Sequence, residues 1–286
     1  MPRVSIVTPV YNAARWLPDT ISSVLCQSMP DWEQIFVDDG STDRSVEIIE
    51  AVAATDKRFR LLRTGGRTGP AIARNLALDA AKGRYVAFLD ADDLWLPDKL
   101  ACCLDYLQRH ECGFVYHDHR RMSEDGAREG GLIIAPEELN LRTLHTRRGH
   151  GGCLSVVVDR QRVGSVRFPA DCPTKHEDFL AWLHIIEQGH IGCRVPRDLG
   201  RCRVSRTRRN ASKLVSAYHT WLVYHRESSL PFRLALWWWV QYAWNVSWMY
   251  RGSAISHANT FEPRKLSELI TEERTRSEAE ANTVAV

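Results

Sequence analysis

Glycine is missing where a nucleotide loop would need it. After the apolar stretch "VSIVTPV" (4–10) the chain continues "YNAARW", with no glycine and one arginine. A dinucleotide oxidoreductase would carry G-x-G-x-x-G at that point. A sugar-nucleotide pyrophosphorylase would want a Gly-rich loop bearing Arg and Lys, so both alternatives rank well behind. The eight cysteines include no C-x-x-C pair, which disfavours zinc and suits free thiols in a reducing compartment. The opening "MPRVSIVTPVYN" lacks the long apolar run of a secretory leader, so a cytoplasmic location is expected. Net charge is small too: +3 over 286 residues gives no reason to expect nucleic acid. No internal repeat or low-complexity linker interrupts the first two hundred or so positions.

What is present begins with alternation. "VSIVTPV", "EQIFVDDG" (33–40), "RLLR" (60–63), "YVAFLD" (85–90) and "GFVYHD" (113–118) read as strands. Between them lie helical patterns. The first carries Trp16, Leu17, Ile21, Val24 and Leu25 behind Asn12 as cap, and the second carries Val46, Ile49 and Val52 behind Ser41 or Asp43. "GPAIARNLALDAAKG" (69–83) is an Ala-rich helix closed by Gly83, and another helix runs from Pro97 to about His110. This predicts an α/β fold, a mostly parallel sheet with helices on both faces. "SEDG" (123–126) predicts a hairpin turn, "CLSVVVD" (153–159) a strand, and "KHEDFLAWLHIIEQG" (175–189) a helix ended by Gly189. Ligands in such sheets bind beyond the carboxyl ends of the strands. Asp38-Asp39 and Asp90-x-Asp92 both stand there, far apart in sequence but sharing one crevice.

The run "FLDADD" (88–93) raises an electrostatic question, because Asp90, Asp92 and Asp93 would repel one another. Helix capping accounts for Asp93 and leaves Asp90 and Asp92 without a cause. Two carboxylates at i, i+2 can face the same way, and magnesium or manganese often takes one or two of them plus phosphate oxygens. A cation with a diphosphate would relieve the repulsion. His117 and His119 share a strand face beside Asp118, a second but weaker pointer to metal.

"VSIVTPVYN", "VDDGSTD" (37–43), "GPAIARN" (69–75), "FLDADD" and "HED" (176–178), in this order and spacing, resemble the family 2 glycosyltransferases over residues 4 to about 205. "GCLSVVVD" and "YHTWLVYHRE" add a narrower resemblance to bacterial teichuronic-acid and capsular-polysaccharide sugar transferases. The resemblance implies the GT-A fold, a nucleotide-sugar donor that is UDP-linked, a lipid-linked or glycan acceptor, a Mg or Mn cofactor, and transfer with inversion. It further implies that Thr8, Pro9 and Tyr11 line the base, that Asp39 accepts from uracil, and that Arg74 lies on the nucleotide side. Asp90 would hold the ribose or the metal's water shell, Asp92 the metal, Asp178 would be the base, and Glu177 an orienting partner. Helix N-terminal acids favoured by the macrodipole are the plain alternative for Glu177 and Asp178.

The chain departs from the family pattern in two places. Arg203 matches a phosphate-side Arg, but Ser205 stands where a His is frequent, so the choice among Arg203, Arg206 and Arg208 stays open. The Q-x-x-R-W signature of processive synthases is absent, which implies one sugar per encounter. Arg194, Arg197, Arg201, Arg203, Arg206, Arg208 and Arg209 fall within sixteen residues, a run suited to phosphates, an anionic membrane or plain solvent. "FRLALWWWVQYAWNVSWMY" (232–250) approaches spanning length but contains Gln241, Asn245 and Ser247. An interfacial helix fits it better than a spanning one, and packing on the domain or a second subunit is the alternative. Its spacing groups Trp237, Gln241, Asn245 and Trp248 on one stripe, and Ala235, Leu236, Trp239, Ala243 and Val246 on another. A helix carrying Leu214, Val215, Tyr218, Trp221, Leu222 and His225 should pair with it around Pro231. The expected organisation is a catalytic domain over 1–210, a helical hairpin over 211–252, and a polar tail over 253–286. The expected protein is a metal-dependent glycosyltransferase, cytoplasmic and peripheral on the inner membrane face. A non-catalytic membrane-associated module with a decayed site is the rival.

Overall fold

The computed structural model describes residues 1–146, 152–171, 176–204, 221–223, 225 and 231–249. The expected βαβ alternation is present. Strand β1 (Val4–Val10) is followed by α1 (Leu17–Leu25), β2 (Trp32–Asp38), α2 (Ser45–Thr55), β3 (Phe59–Arg63), α3 (Pro70–Ala80) and β4 (Tyr85–Phe88). A short β5 (Leu94–Trp95) leads into α4 (Lys99–Arg109). Next come β6 (Phe114–Ser123), β7 (Glu129–Ile133), β8 (Glu138–Leu139) and α5 (Leu141–Thr146). A single 3₁₀ turn (Cys153–Ser155), β9 (Val157–Asp159) and α6 (Arg160–Val163) precede α7 (Glu177–Glu187) and β10 (Gly192–Val204). Helix α8 (Phe232–Met249) is the last described element.

One sheet holds all ten strands, in the order β3-β2-β1-β4-β9-β6-β10-β5, with β7 beside β6 and β8 beside β10. β3, β2, β1 and β4 run parallel, and β6 pairs parallel with β10. β9 lies antiparallel between β4 and β6. Alternation along the strands sends successive side chains to opposite faces, and two cores result. Val7, Ile35, Val37, Val86 and Phe88 join Ala73, Ala77, Phe179, Trp182 and Ile186 on the face covered by α3 and α7. Ile6, Phe36 and Ala87 join Leu17, Ile21, Ile49, Leu100 and Leu104 on the face covered by α1, α2 and α4. Helix α8 packs onto the first of these cores through Ala235, with Trp238 and Trp239 partly buried.

Several local expectations are corrected. Asn12 does not cap α1. It adopts a left-handed φ of 49° and bridges two loops, its Oδ1 accepting from Thr42 N at 2.8 Å while its own N donates to Ser41 Oγ at 3.0 Å. Asn tolerates that conformation because its short side chain bonds locally. Gly83 does not close α3, which stops at Ala80 with Ala81 extended. Glycine is needed there because a Cβ would lie 2.6 Å from Ser5 N on β1. The first half of "CLSVVVD" is a 3₁₀ turn rather than strand. Leu236 is exposed rather than packed with Ala235. Residues 205–220 and 250–286, which include Arg206, Arg208, most of the helix expected before Pro231 and the polar tail, lie outside the described residues.

Candidate active site

The carboxyl ends of β1, β2, β4, β6 and β10 reach one edge of the sheet, and the antiparallel β9 brings its amino end to the same edge. Val10 pairs with Asp38 in register, and Asp39 N donates to Val10 O at 2.8 Å. Residues separated by long stretches of sequence thereby become neighbours.

On the β1–β2 side, Asp39 organises a loop. Its Oδ1 accepts from Thr64 Oγ1 at 3.0 Å and from Thr68 N and Oγ1 at 2.7 Å, and its Oδ2 accepts from Gly69 N at 2.8 Å. Burial works to raise the Asp39 pKa, but the donations from Thr68, Gly69 and Thr64 outweigh it and hold the carboxyl below its ordinary value. Thr8 does not reach the expected base wall: it is fully buried, its Oγ1 accepting from Gln34 Nε2 at 2.9 Å within the sheet. Pro9 is partly exposed and Tyr11 exposed, and the Arg67 guanidinium stands 4.5 Å over the Tyr11 ring. Nothing in the sequence pattern pointed to Arg67.

At the centre, the structure brings Arg74, Asp90, Glu177 and Asp178 together. Arg74, on α3, is almost wholly buried. Its guanidinium donates to Asp90 Oδ1 at 2.7 Å and to Glu177 Oε1 at 3.2 Å, and lies 5.3 Å over the Phe168 ring. A buried cation tied to two acids is fixed in place. Asp178, in the first turn of α7, is partly exposed, its Oδ1 accepting from Phe179 N at 2.7 Å. Cys153, brought in by the antiparallel β9, touches the same field. Burial pushes its thiol well above the ordinary value; Arg74 opposes the shift, and Asp90, Asp178 and Glu177 reinforce it. Such a thiol stays protonated and unreactive. Phe168 and Cys153 were invisible to spacing arguments because Cys153 sits in the 3₁₀ turn before the antiparallel β9 and Phe168 in the loop after α6.

The end of β10 closes the site. Asp93 is not a helix cap: its Oδ1 accepts from Arg203 N at 2.7 Å, while α4 begins at Lys99 behind Asp98. Arg203 is buried, donating from Nε to Asp92 O at 2.9 Å, from one terminal nitrogen to Glu124 O at 2.9 Å and from the other to Asp19 Oδ2 at 3.2 Å. Its guanidinium clamps the D-x-D loop and does not face open space. The described members of the arginine run are likewise engaged. Arg194 grips Asp118 with two bonds of 2.8 and 2.6 Å, and Arg201 grips Glu129 and Asp198 at 2.5 and 2.6 Å. His117 is fully buried with Nδ1 2.7 Å from Asp118 O.

Asp90 and Asp92 are only partly buried. Among the described residues no group of three or more His, Cys, Asp or Glu is arranged to hold a metal. Two carboxylates still suit a hard cation that draws its remaining ligands from water and phosphate. A cleft of about 640 Å³ opens at the opposite, amino end of β4, lined by Lys82, Arg84, Arg160 and Arg167. There Arg84 is paired with Asp159 and Arg167 with Asp79. That cleft is remote from the carboxylate edge.

Comparison with known proteins fits this geometry. The family model described as Glycosyl transferase family 2 matches residues 5–157. A Bacillus subtilis protein named for teichuronic acid biosynthesis, TuaG, is 37% identical over 245 residues, covering 86% of this chain and 96% of its own. The Escherichia coli UDP-Glc:alpha-D-GlcNAc-diphosphoundecaprenol beta-1,3-glucosyltransferase WfgD is 34% identical over 66% of this chain and 71% of its own. Among solved structures, S. aureus TarS 1-349 in complex with UDP-GlcNAc superposes with a TM-score of 0.65 at 17% identity, covering 86% of this chain and 72% of that one. The mannosyltransferase PcManGT from Pyrobaculum calidifontis, in complex with GDP-Man and Mn2+, gives 0.60 at 21% identity over 88% and 76%. The sheet order, the shared carboxylate edge and the match over more than half the chain lead to one conclusion: the fold is GT-A, and the protein is an enzyme of glycosyl transferase family 2.

Proposed function

We propose that this enzyme transfers a sugar, with inversion, from a UDP-linked donor to a lipid-linked glycan acceptor in the assembly of cell-surface polysaccharide. Residues 1–210 form the catalytic domain, which works on the inner face of the membrane. The names of the TuaG and WfgD relatives and the UDP-GlcNAc bound in TarS support the donor and acceptor. The observation that carries the reading is the Arg74 bridge: one guanidinium holds Asp90, at the end of β4, against Glu177, the neighbour of Asp178 at the start of α7.

The chemistry is a single displacement. An acceptor hydroxyl oxygen forms a bond to the anomeric carbon while the bond to the donor diphosphate breaks, its electron pair leaving with UDP. Asp178 takes the hydroxyl proton as general base, a contribution of typically ~10²–10⁴-fold. Glu177, held by Arg74, fixes the start of α7 and so orients its neighbour. Pro9, Tyr11 and the Asp39-held loop wall the base, and the Asp39 Oδ2 lone pair not used by Gly69 can accept from uracil. A magnesium or manganese ion held by Asp92, with Asp90 beside it, would offset charge on the departing diphosphate. Arg203 acts by holding the Asp92 loop in shape.

The test is UDP release from a panel of UDP-sugars with a lipid-linked acceptor. Asp178→Asn should lower transfer by about 10²–10⁴-fold with donor affinity kept. Full transfer by Asp178→Asn would remove the base assignment, and no UDP release from any donor would remove the donor class.

A further inference from the structure

Helix α8 presents two faces that the catalytic reading does not use equally. At about 100° per residue, Ala235, Trp238 and Trp239 cluster on one arc, and the structure buries that arc: Ala235 is 0% exposed, with Trp238 and Trp239 packed on the α3–α7 core. Leu236, Trp237, Val240 and Trp244 fall on the opposite arc. Trp237, Val240 and Trp244 are 56%, 49% and 65% exposed. Arg233 projects from the same arc, near the start of the helix.

We propose that this aromatic stripe is the surface by which the enzyme seats on an anionic lipid bilayer. It deepens the function above by naming the surface that meets the lipid, and it rests on that reading only for its catalytic consequence. Three observations select lipid as the occupant. First, no helix among the described residues is long and apolar enough to cross a membrane, and the exposed arc of α8 lies opposite the arc packed on the domain. Second, indole rings combine an apolar body with a polar N–H and settle at the membrane–water boundary. Third, the sequence from Ser228 to Phe261 contains no acidic residue, while Arg233 and Arg251 flank the stripe. A second copy of this helix would therefore offer these cations no counter-charge. Anionic headgroups do.

The helix also connects to the site. Trp238 meets the buried His145 of α5 edge-on at 5.9 Å, and His145 lies 5.8 Å from Phe179, the residue after Asp178. The inner arc of α8 is thus two ring contacts from the proposed base. Seating the outer arc in headgroups holds Asp178 at a set height above the bilayer, where a lipid-anchored sugar can reach it.

The experiment is vesicle flotation of the full chain, comparing phosphatidylglycerol-containing vesicles with pure phosphatidylcholine ones. A Val240→Glu/Trp244→Glu double variant, both sites exposed, serves as the control. The wild type should float with the anionic vesicles and less with the neutral ones. The double variant should keep the wild-type melting temperature and its transfer to a water-soluble acceptor. It should lose about tenfold or more in vesicle affinity, and with it transfer to an acceptor embedded in vesicles. Failure of the wild type to float, or equal flotation of the double variant, overturns the proposal. So does a concentration-dependent dimer that the double variant abolishes, if no vesicle binding accompanies it. Flotation needs neither donor nor catalysis. A wild type that floats but releases no UDP would uphold the surface and sink the transferase reading alone.

Discussion

Asp39 accepts four hydrogen bonds, and two of them come from the backbone N–H groups of Thr68 and Gly69. Asp39→Ala should therefore cost about 1–3 kcal/mol of stability by denaturant unfolding, and weaken UDP binding through the loosened loop. Lys99 makes a different prediction. Its amine is fully buried over the Trp95 ring at 3.6 Å, and desolvation pushes its pKa down to about 7 from an ordinary 10.5, Cys103 opposing. From about pH 7 to 10.5 the unfolded chain keeps a proton that the native state has released, so this group makes stability rise with pH across that window. Below about pH 7 both states hold the proton and the burial penalty is full. Lys99→Met should raise stability most at and below about pH 7 and flatten the slope above it, read from urea titrations at several pH values. The neighbouring His117, which Lys99 repels, is held neutral by its own burial. Of the proposed site residues, Asp39, Arg74, Asp90 and Asp178 stand in contiguous motifs, which is why sequence could single them out. Thr8 turns into the sheet and Arg203 towards the D-x-D loop, because a motif position records chain order and not which way a side chain turns.

At the level of elements, periodicity found α1 to α4 and α7, and apolar runs found β1 to β4 and β6, but the arginine-rich β10, which carries no apolar run, was not read as a strand. Their ends were less legible. Asn12, Gly83 and Asp93 carry cap-forming residue types, yet their partners are Ser41, Ser5 and Arg203, contributed by other strands and loops. A local rule reads local partners, so it assigned these residues to the nearest helix. Gly83 gives a direct check. Gly83→Ala would force a Cβ to within 2.6 Å of the Ser5 backbone and press on the β1–β4 pairing. Overpacking of this kind costs typically ~1–3 kcal/mol, whereas a mere helix-cap glycine in ordinary space would tolerate the change better. A melting-temperature comparison separates the two. Strand β9 was only half legible, and its reversed direction not at all, since three residues carry no mark of orientation.

For the whole molecule, the paired acids at the carboxylate edge imply a linkage between ligand and stability. UDP with manganese should raise the melting temperature more than UDP or manganese alone, because ligands that bind only the native state stabilise it. Asp92→Ala should remove the manganese-dependent part of that rise and leave the metal-free part. An equal response in both proteins would take Asp92 out of the metal's reach. The two-sided α/β architecture followed from the order of apolar runs, while the donor and acceptor surfaces depend on long-range packing that no run of residues announces.

The Arg203 clamp has one more consequence. By fastening the last strand to Asp92, Asp93, Glu124 and Asp19, it anchors residue 204 beside the D-x-D loop, whatever sequence follows. The junction after Val204 is therefore a natural splice point. Carboxy-terminal segments exchanged there between related enzymes would begin from the same fixed post, without rebuilding the sheet.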